Sequence, residues 1–191
     1  MTSPEEAAVR LEHIAIIGAG LAGRSFSRHL LAHGYQVTLE DVLPSNLRCV
    51  TTELEATPFA DRKDALHLAS TVEEAVRSAD LVIDFVPDEL ESKLEILSMI
   101  DRMAPPRTVL LTPTDVLSIS DLASCTYRPN RCFGISGLSR HTAFSPQVTL
   151  SLLYPGTASV AVLSGLETFL FAIGLPFRSA LDPHPSLLTG R

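Results

Sequence analysis

The stretch His13-Ile14-Ala15-Ile16-Ile17-Gly18-Ala19-Gly20-Leu21-Ala22-Gly23 carries an apolar strand straight into a glycine turn and then into a helical pattern. A G-x-G-x-x-G turn in that context suits a dinucleotide. Gly18 permits the tight turn, Gly20 lets the main chain approach a pyrophosphate, and Gly23 lets the new helix pack against the strand. Leu21 and Ala22 complete the loop, and the unpaired N–H groups of the helix start face the phosphates. The next strand pattern, Gln36 to Asp41, ends in acid roughly 20 residues past the glycines, where a carboxylate accepts hydrogen bonds from the adenosine ribose. Asp41 is the candidate. The alternative reading is a turn kept for helix packing with nothing bound.

Composition narrows the classes that remain. At 191 residues with 46% apolar content the chain suits one domain with a single buried core. Its 15 Lys+Arg against 22 Asp+Glu give a formal charge of -7, which disfavours nucleic acid and anionic membrane surfaces as partners. The chain shows no apolar run near the roughly 20 residues of a membrane span, and its first 12 residues are too acidic and polar for a secretory signal, so a cytoplasmic protein is expected. Cys49, Cys125 and Cys132 show neither disulfide nor zinc spacing. His13, His29, His33, His67 and His184 suggest no metal pair, and no metal is assigned.

Along the chain, strand and helix patterns alternate with short connections, which points to a parallel sheet. Residues 1–11 read as a loose arm, 12–182 as the folded domain, and 183–191 as an extended tail. A helix from Leu21 to His33 closes at Gly34. Pro44 and Pro58 lead to the expectation of a loop with one short helix between Leu43 and Asp64. Further strands are expected at Leu66 to Ala69, Leu81 to Val86, Thr108 to Leu111, Arg131 to Ile135, Val148 to Leu153 and Pro176 to Ala180. Helices are expected at Thr71 to Ala79, Asp88 to Met103, Ser118 to Ser124 and Ser159 to Ile173. The fold class is therefore α/β, a doubly wound, mostly parallel Rossmann sheet. In such a sheet the carboxyl ends of the strands gather the ligand, which groups Gly18 to Gly23, Asp41, Val86 to Asp88, Thr112 to Asp115 and Ser136 to His141.

The blocks I-A-I-I-G-A-G-L-A-G, V-T-L-E-D-V, A-D-L-V-I-D-F-V-P with its downstream lysine, and I-D-R-M-A-P-P-R-T-V-L-L-T resemble, in order and spacing, the NAD-binding domain of 3-hydroxyacyl-CoA dehydrogenases. The resemblance runs from Glu12 to about Pro185. It implies that Asp41 holds the adenosine ribose, that Phe85 and Val86 line the cofactor, and that Asp88 and Lys93 lie near its ribose and phosphate groups. Read on its own pattern, Lys93 is a solvated residue of an amphipathic helix. A carboxylate at Asp41 with no arginine directly after it favours NAD over NADP.

The family's chemical motifs are altered. Its S-N-T-S-S reads Thr112-Pro113-Thr114-Asp115-Val116, its catalytic histidine position is Ser136, and its orienting glutamate falls near Ser151. Family members also continue into a helical domain that forms the other cleft wall, and the chain ends before it. The expectation is a diverged NAD-dependent oxidoreductase acting on a small hydroxy or carbonyl substrate, its cleft completed by a second copy or a partner chain. The alternative is a catalytically inactive NAD-binding regulatory or assembly protein. For catalysis the candidates are His141 as base, Asp115 as its orienting carboxylate, and Ser136; Arg140 is a candidate clamp for a substrate anion.

Overall fold

The computed structural model describes residues 9–55, 64–139, 141–184, 186 and 188. Eight strands lie in the order β3-β2-β1-β4-β5-β6-β7-β8. They are β1 His13–Ile17, β2 Gln36–Glu40, β3 Leu66–Ala69, β4 Leu81–Asp84, β5 Val109–Pro113, β6 Cys132–Ser136, β7 Leu150–Tyr154 and β8 Phe177–Leu181. The chain winds outward one way through β2 and β3, then crosses to β4 on the other side of β1. That reversal opens the ligand crevice of a doubly wound sheet. All pairs are parallel except β6 with β7.

Side-chain alternation in the strands builds two cores, one on each sheet face. Ile14, Ile16, Val37 and Leu39 meet Phe26, Leu30 and Leu31 of α1 (Leu21–Ala32) and Val162, Leu166 and Phe169 of α6 (Val160–Ala172). On the opposite face Ala15, Ile17 and Val82 meet α3 (Val72–Val76), α4 (Leu90–Met103) and α5 (Ile119–Ser124). Apolar strands covered on both sides are what an all-parallel sheet centre requires.

Three expectations change. The segment after β2 forms a full helix, α2 (Pro44–Glu55), rather than a loop with a short one. Proline at the first helical position loses an N–H that has no partner there in any case, and the Asp41 carboxylate accepts from Leu43 N and Asn46 Nδ2 beside it. Pro58 lies outside the described residues. The arm is not loose up to residue 11, because Leu11 is buried and Val9 packs so closely on Gly165 that an added Cβ there would sit 2.9 Å from Val9 Cβ. The tail is tied as well. Asp182 accepts from Ser118 Oγ and Ser120 N at the start of α5, Ser186 bonds Asp121, and Leu188 N donates to Asp121.

The departure of α1 from β1 is set by glycine. Gly18 has φ +99°, and a Cβ on Gly23 would lie 1.9 Å from the Gly18 carbonyl oxygen. Gly23→Ala is therefore expected to destabilise the domain by on the order of 3 kcal/mol or to prevent folding. Thermal unfolding followed by circular dichroism checks this; a melting point equal to that of the parent would refute the close approach.

Candidate functional site

Two cavities open at the carboxyl ends of the strands, on either side of Phe85 and Val86. The first, of about 390 Å³, lies between the ends of β1 and β2 and helix α4, with Ile17, Val72, Ile96 and Met99 as apolar wall and Glu40, Asp41 and Glu95 as acids. The second, of about 260 Å³, is bounded by the loops after β4, β5 and β6 and carries Asp88, Glu89, Asp115, Ser139 and His141. A dinucleotide laid across the switch point would place one end in each.

The turn residue Gly18 lines the first cavity and leads into the start of α1. Gly20 caps it in extended conformation with no side-chain hydrogen bond, and its first turn holds no acid. A Cβ on Gly20 would meet nothing within 4 Å, so that side of the turn is open. Leu21 is half exposed there, whereas Ala22 is buried. Asp41 anchors the arrangement: its Oδ2 accepts from Ala19 N at 2.8 Å and from Asn46 at 2.9 Å, and its Oδ1 from Leu43 N at 2.8 Å. Phe85 seats on the turn, its Cβ 3.5 Å from where a Gly18 Cβ would stand.

A family model for the 3-hydroxyacyl-CoA dehydrogenase NAD-binding domain matches residues 13–138. The chain belongs to that family. Family members are NAD-binding oxidoreductases, and NAD is the cofactor. L-carnitine dehydrogenase of Streptomyces coelicolor is 31% identical over 140 residues, covering 69% of this chain and 43% of the relative. Mitochondrial hydroxyacyl-coenzyme A dehydrogenase of Sus scrofa is 28% identical over 195 residues, covering 93% and 59%. A solved 3-hydroxybutyryl-CoA dehydrogenase of Escherichia coli K12 shares the fold at TM-score 0.80 and 21% identity, covering 91% of this chain and 39% of that one. The chain spans about half the length of the curated relatives it matches.

The residues present fit the dinucleotide. The open glycine turn, the uncapped helix start and the Asp41 carboxylate lie together at the sheet's switch point. Lys93 is neither solvated nor directed outward: it is fully buried, its Nζ 2.6 Å from Asp84 Oδ1. The heptad-like spacing of α4 suggested a wet face at this position, but Asp84 at the end of a buried strand draws the ammonium inward. Asp88 lies at the second cavity, its Oδ2 accepting from Asp115 N at 2.9 Å while its buried Oδ1 has no partner.

Asp115 does not stand open to orient an imidazole through Oδ1. That oxygen accepts from Ser136 Oγ at 2.6 Å and from Gly137 N at 3.0 Å. His141 lines the same cleft, and Arg140 lies outside the described residues. Ser136 and Ser151 are register partners across the antiparallel β6–β7 pair. The two positions where the family resemblance places histidine and glutamate are thus face to face, and both hold serine. Next in the row, Arg178 of β8 is Ser151's register partner, its Nε 3.4 Å from Ser151 Oγ.

Sequence reasoning missed Glu40 and Arg178. Strand alternation places Glu40 on the α4 face with Ile17, a signal available once β2 is phased. Arg178 needed the β7–β8 register, which no local pattern supplies. Pro113 in β5 was visible but not its consequence: the ladder to β4 stops at Leu111 while that to β6 runs on to Pro113, so the missing donor falls at the cleft mouth.

Two outcomes follow from the buried charges. Lys93→Met leaves the Asp84 carboxylate buried without its cation and should cost about 3–5 kcal/mol, whereas adding Asp84→Leu should recover much of the loss; denaturant titration of the single and double variants decides. Burial, with Asp41 beside it, raises the Glu40 carboxyl from 4.5 to about 7. The folded protein then holds a proton that the unfolded chain has released between those values, so parent stability falls as pH rises through that window and levels off above it. Glu40→Gln removes this effect. Its stability relative to the parent should rise by on the order of 2 kcal/mol from about pH 5 to about pH 8, and a pH-independent difference would contradict the raised value.

Proposed function

We propose that this chain supplies the cofactor-binding half of an NAD-dependent oxidoreductase acting on a small hydroxy or carbonyl substrate, with the open side of its cleft covered by a second copy or another chain. The observation that carries this reading is the joining of the dinucleotide cradle to a cleft bearing an imidazole, His141, at the same end of the sheet. NAD, when bound, supplies the acceptor for a hydride from the carbinol carbon. His141 takes the hydroxyl proton, since an imidazole exchanges one near neutral pH. Asp115, fixed by Ser136 and Gly137, keeps a carboxylate in the cleft with Asp88. These acids repel the phosphates of an acyl-CoA and favour a substrate that is neutral or cationic where it meets them.

Ordinary 3-hydroxyacyl-CoA dehydrogenation is disfavoured by the facing pair Ser136 and Ser151, neither of which acts as a base near neutral pH. The same pair supports a second reading, a non-catalytic NAD-binding regulatory or assembly protein. A screen of hydroxy and keto substrates, read as a change in nicotinamide absorbance, separates the two. Turnover is expected to fall at least about a hundredfold in His141→Gln with NAD affinity intact, because general acid–base catalysis contributes about that much or more. Unchanged turnover removes His141 from the reaction, and no turnover with any substrate favours the binding protein.

A further inference from the structure

The first cavity holds a group that the proposed function does not use. Glu40 ends β2, and its register partner Ile17 is in turn the partner of Asp84 on β4, so the three side chains form one row on the α4 face of the sheet. At the far end of that row Asp84 is neutralised by Lys93. At the near end Glu40 is only 2% exposed, its Oε1 is buried without a hydrogen-bond partner, and among the described residues no ion pair reaches it. Native proteins rarely leave such an atom unmatched unless something else supplies the partner.

The surroundings say what form of Glu40 the cavity accepts. Its walls are apolar, from Ile17, Val72, Ile96 and Met99, and the other titratable groups on it are both acids, Asp41 beside Glu40 and Glu95 from α4. On β3 the imidazole of His67 sits opposite Thr38, two register positions from Glu40, and is paired with Glu74 of α3. The Asp84–Lys93 pair contributes no net charge. Among the described residues, every uncompensated charge on this cavity is therefore negative, and desolvation acts in the same sense: both favour the neutral acid. A neutral carboxyl offers one O–H donor and one carbonyl acceptor. Adenine presents an amino donor beside a ring-nitrogen acceptor on one edge, which matches that pair, while a carboxylate satisfies only the amino group.

We infer that Glu40 contacts the adenine end of the dinucleotide as the neutral carboxylic acid, so that cofactor binding takes up a proton and base recognition depends on a residue next to the ribose-binding Asp41. The inference rests on the cofactor reading above.

Calorimetric titration with NAD from about pH 6 to about pH 9, in buffers of different ionisation enthalpy, tests it on the full chain. The parent should bind with near-constant affinity at the acid end, weaken by up to about tenfold per pH unit at the alkaline end, and take up close to one proton there. Glu40→Gln should bind with no such slope, and Glu40→Val, which preserves the apolar cavity should glutamine disturb folding, should likewise lose it. A flat parent profile, or the same slope in both variants, overturns the role of Glu40 while leaving the cofactor reading in place. No NAD binding by the parent at any pH overturns both.

Discussion

The fold turns on a single close approach, that of the Gly23 main chain to the carbonyl of Gly18. With no Cβ at residue 23, α1 starts directly beneath the end of β1, and its first N–H groups emerge at the carboxyl edge of the sheet. Phe85 then closes over Gly18, and Asp41 reaches across from β2 to hold Ala19 N. A larger residue at 23 would push the helix outward, and every element that packs on α1 would move with it. Asp41 consequently fixes both the turn and the start of α2 in one geometry.

Burial of charge organises the same edge. Asp84 and Glu40 flank Ile17 on neighbouring strands, yet only Asp84 receives a cation. A lysine drawn into the sheet from α4 gives that site a matched, rigid pair whose loss would leave an uncompensated ion. Glu40, with no counter-charge among the described residues and with further acids on its cavity, has its carboxyl raised to about 7 by its surroundings instead. Two acidic side chains of similar depth thus have different surroundings, decided by what faces each.

The strand pair that the family resemblance marks carries two hydroxyls in this chain. Ser136 and Ser151 keep the cross-strand positions, and the hydroxyl of Ser136 serves to hold Asp115. The imidazole that lines the cleft, His141, comes from the loop after β6, which is secured to α1 through Phe144 N on Ser25 Oγ at 2.7 Å.

The sequence by itself determined the strand, glycine turn and helix of residues 13–33, the β–α alternation and the acid at the end of β2, because these depend on local spacing and side-chain chemistry. It misread Pro44 as a breaker, since proline at a helix start and in a helix interior look alike until the partners of the first turn are known. It left Lys93 in solvent, because a period of 3.6 cannot reveal a carboxylate on another strand that pulls the ammonium inward. Only the tertiary structure decided the state of Glu40, the engagement of Asp115, the facing of Ser136 with Ser151 and the anchoring of the tail on Asp121. Each is a contact between segments far apart in the chain, and its energy depends on burial and on which charge stands opposite, quantities that exist only once the sheet has formed.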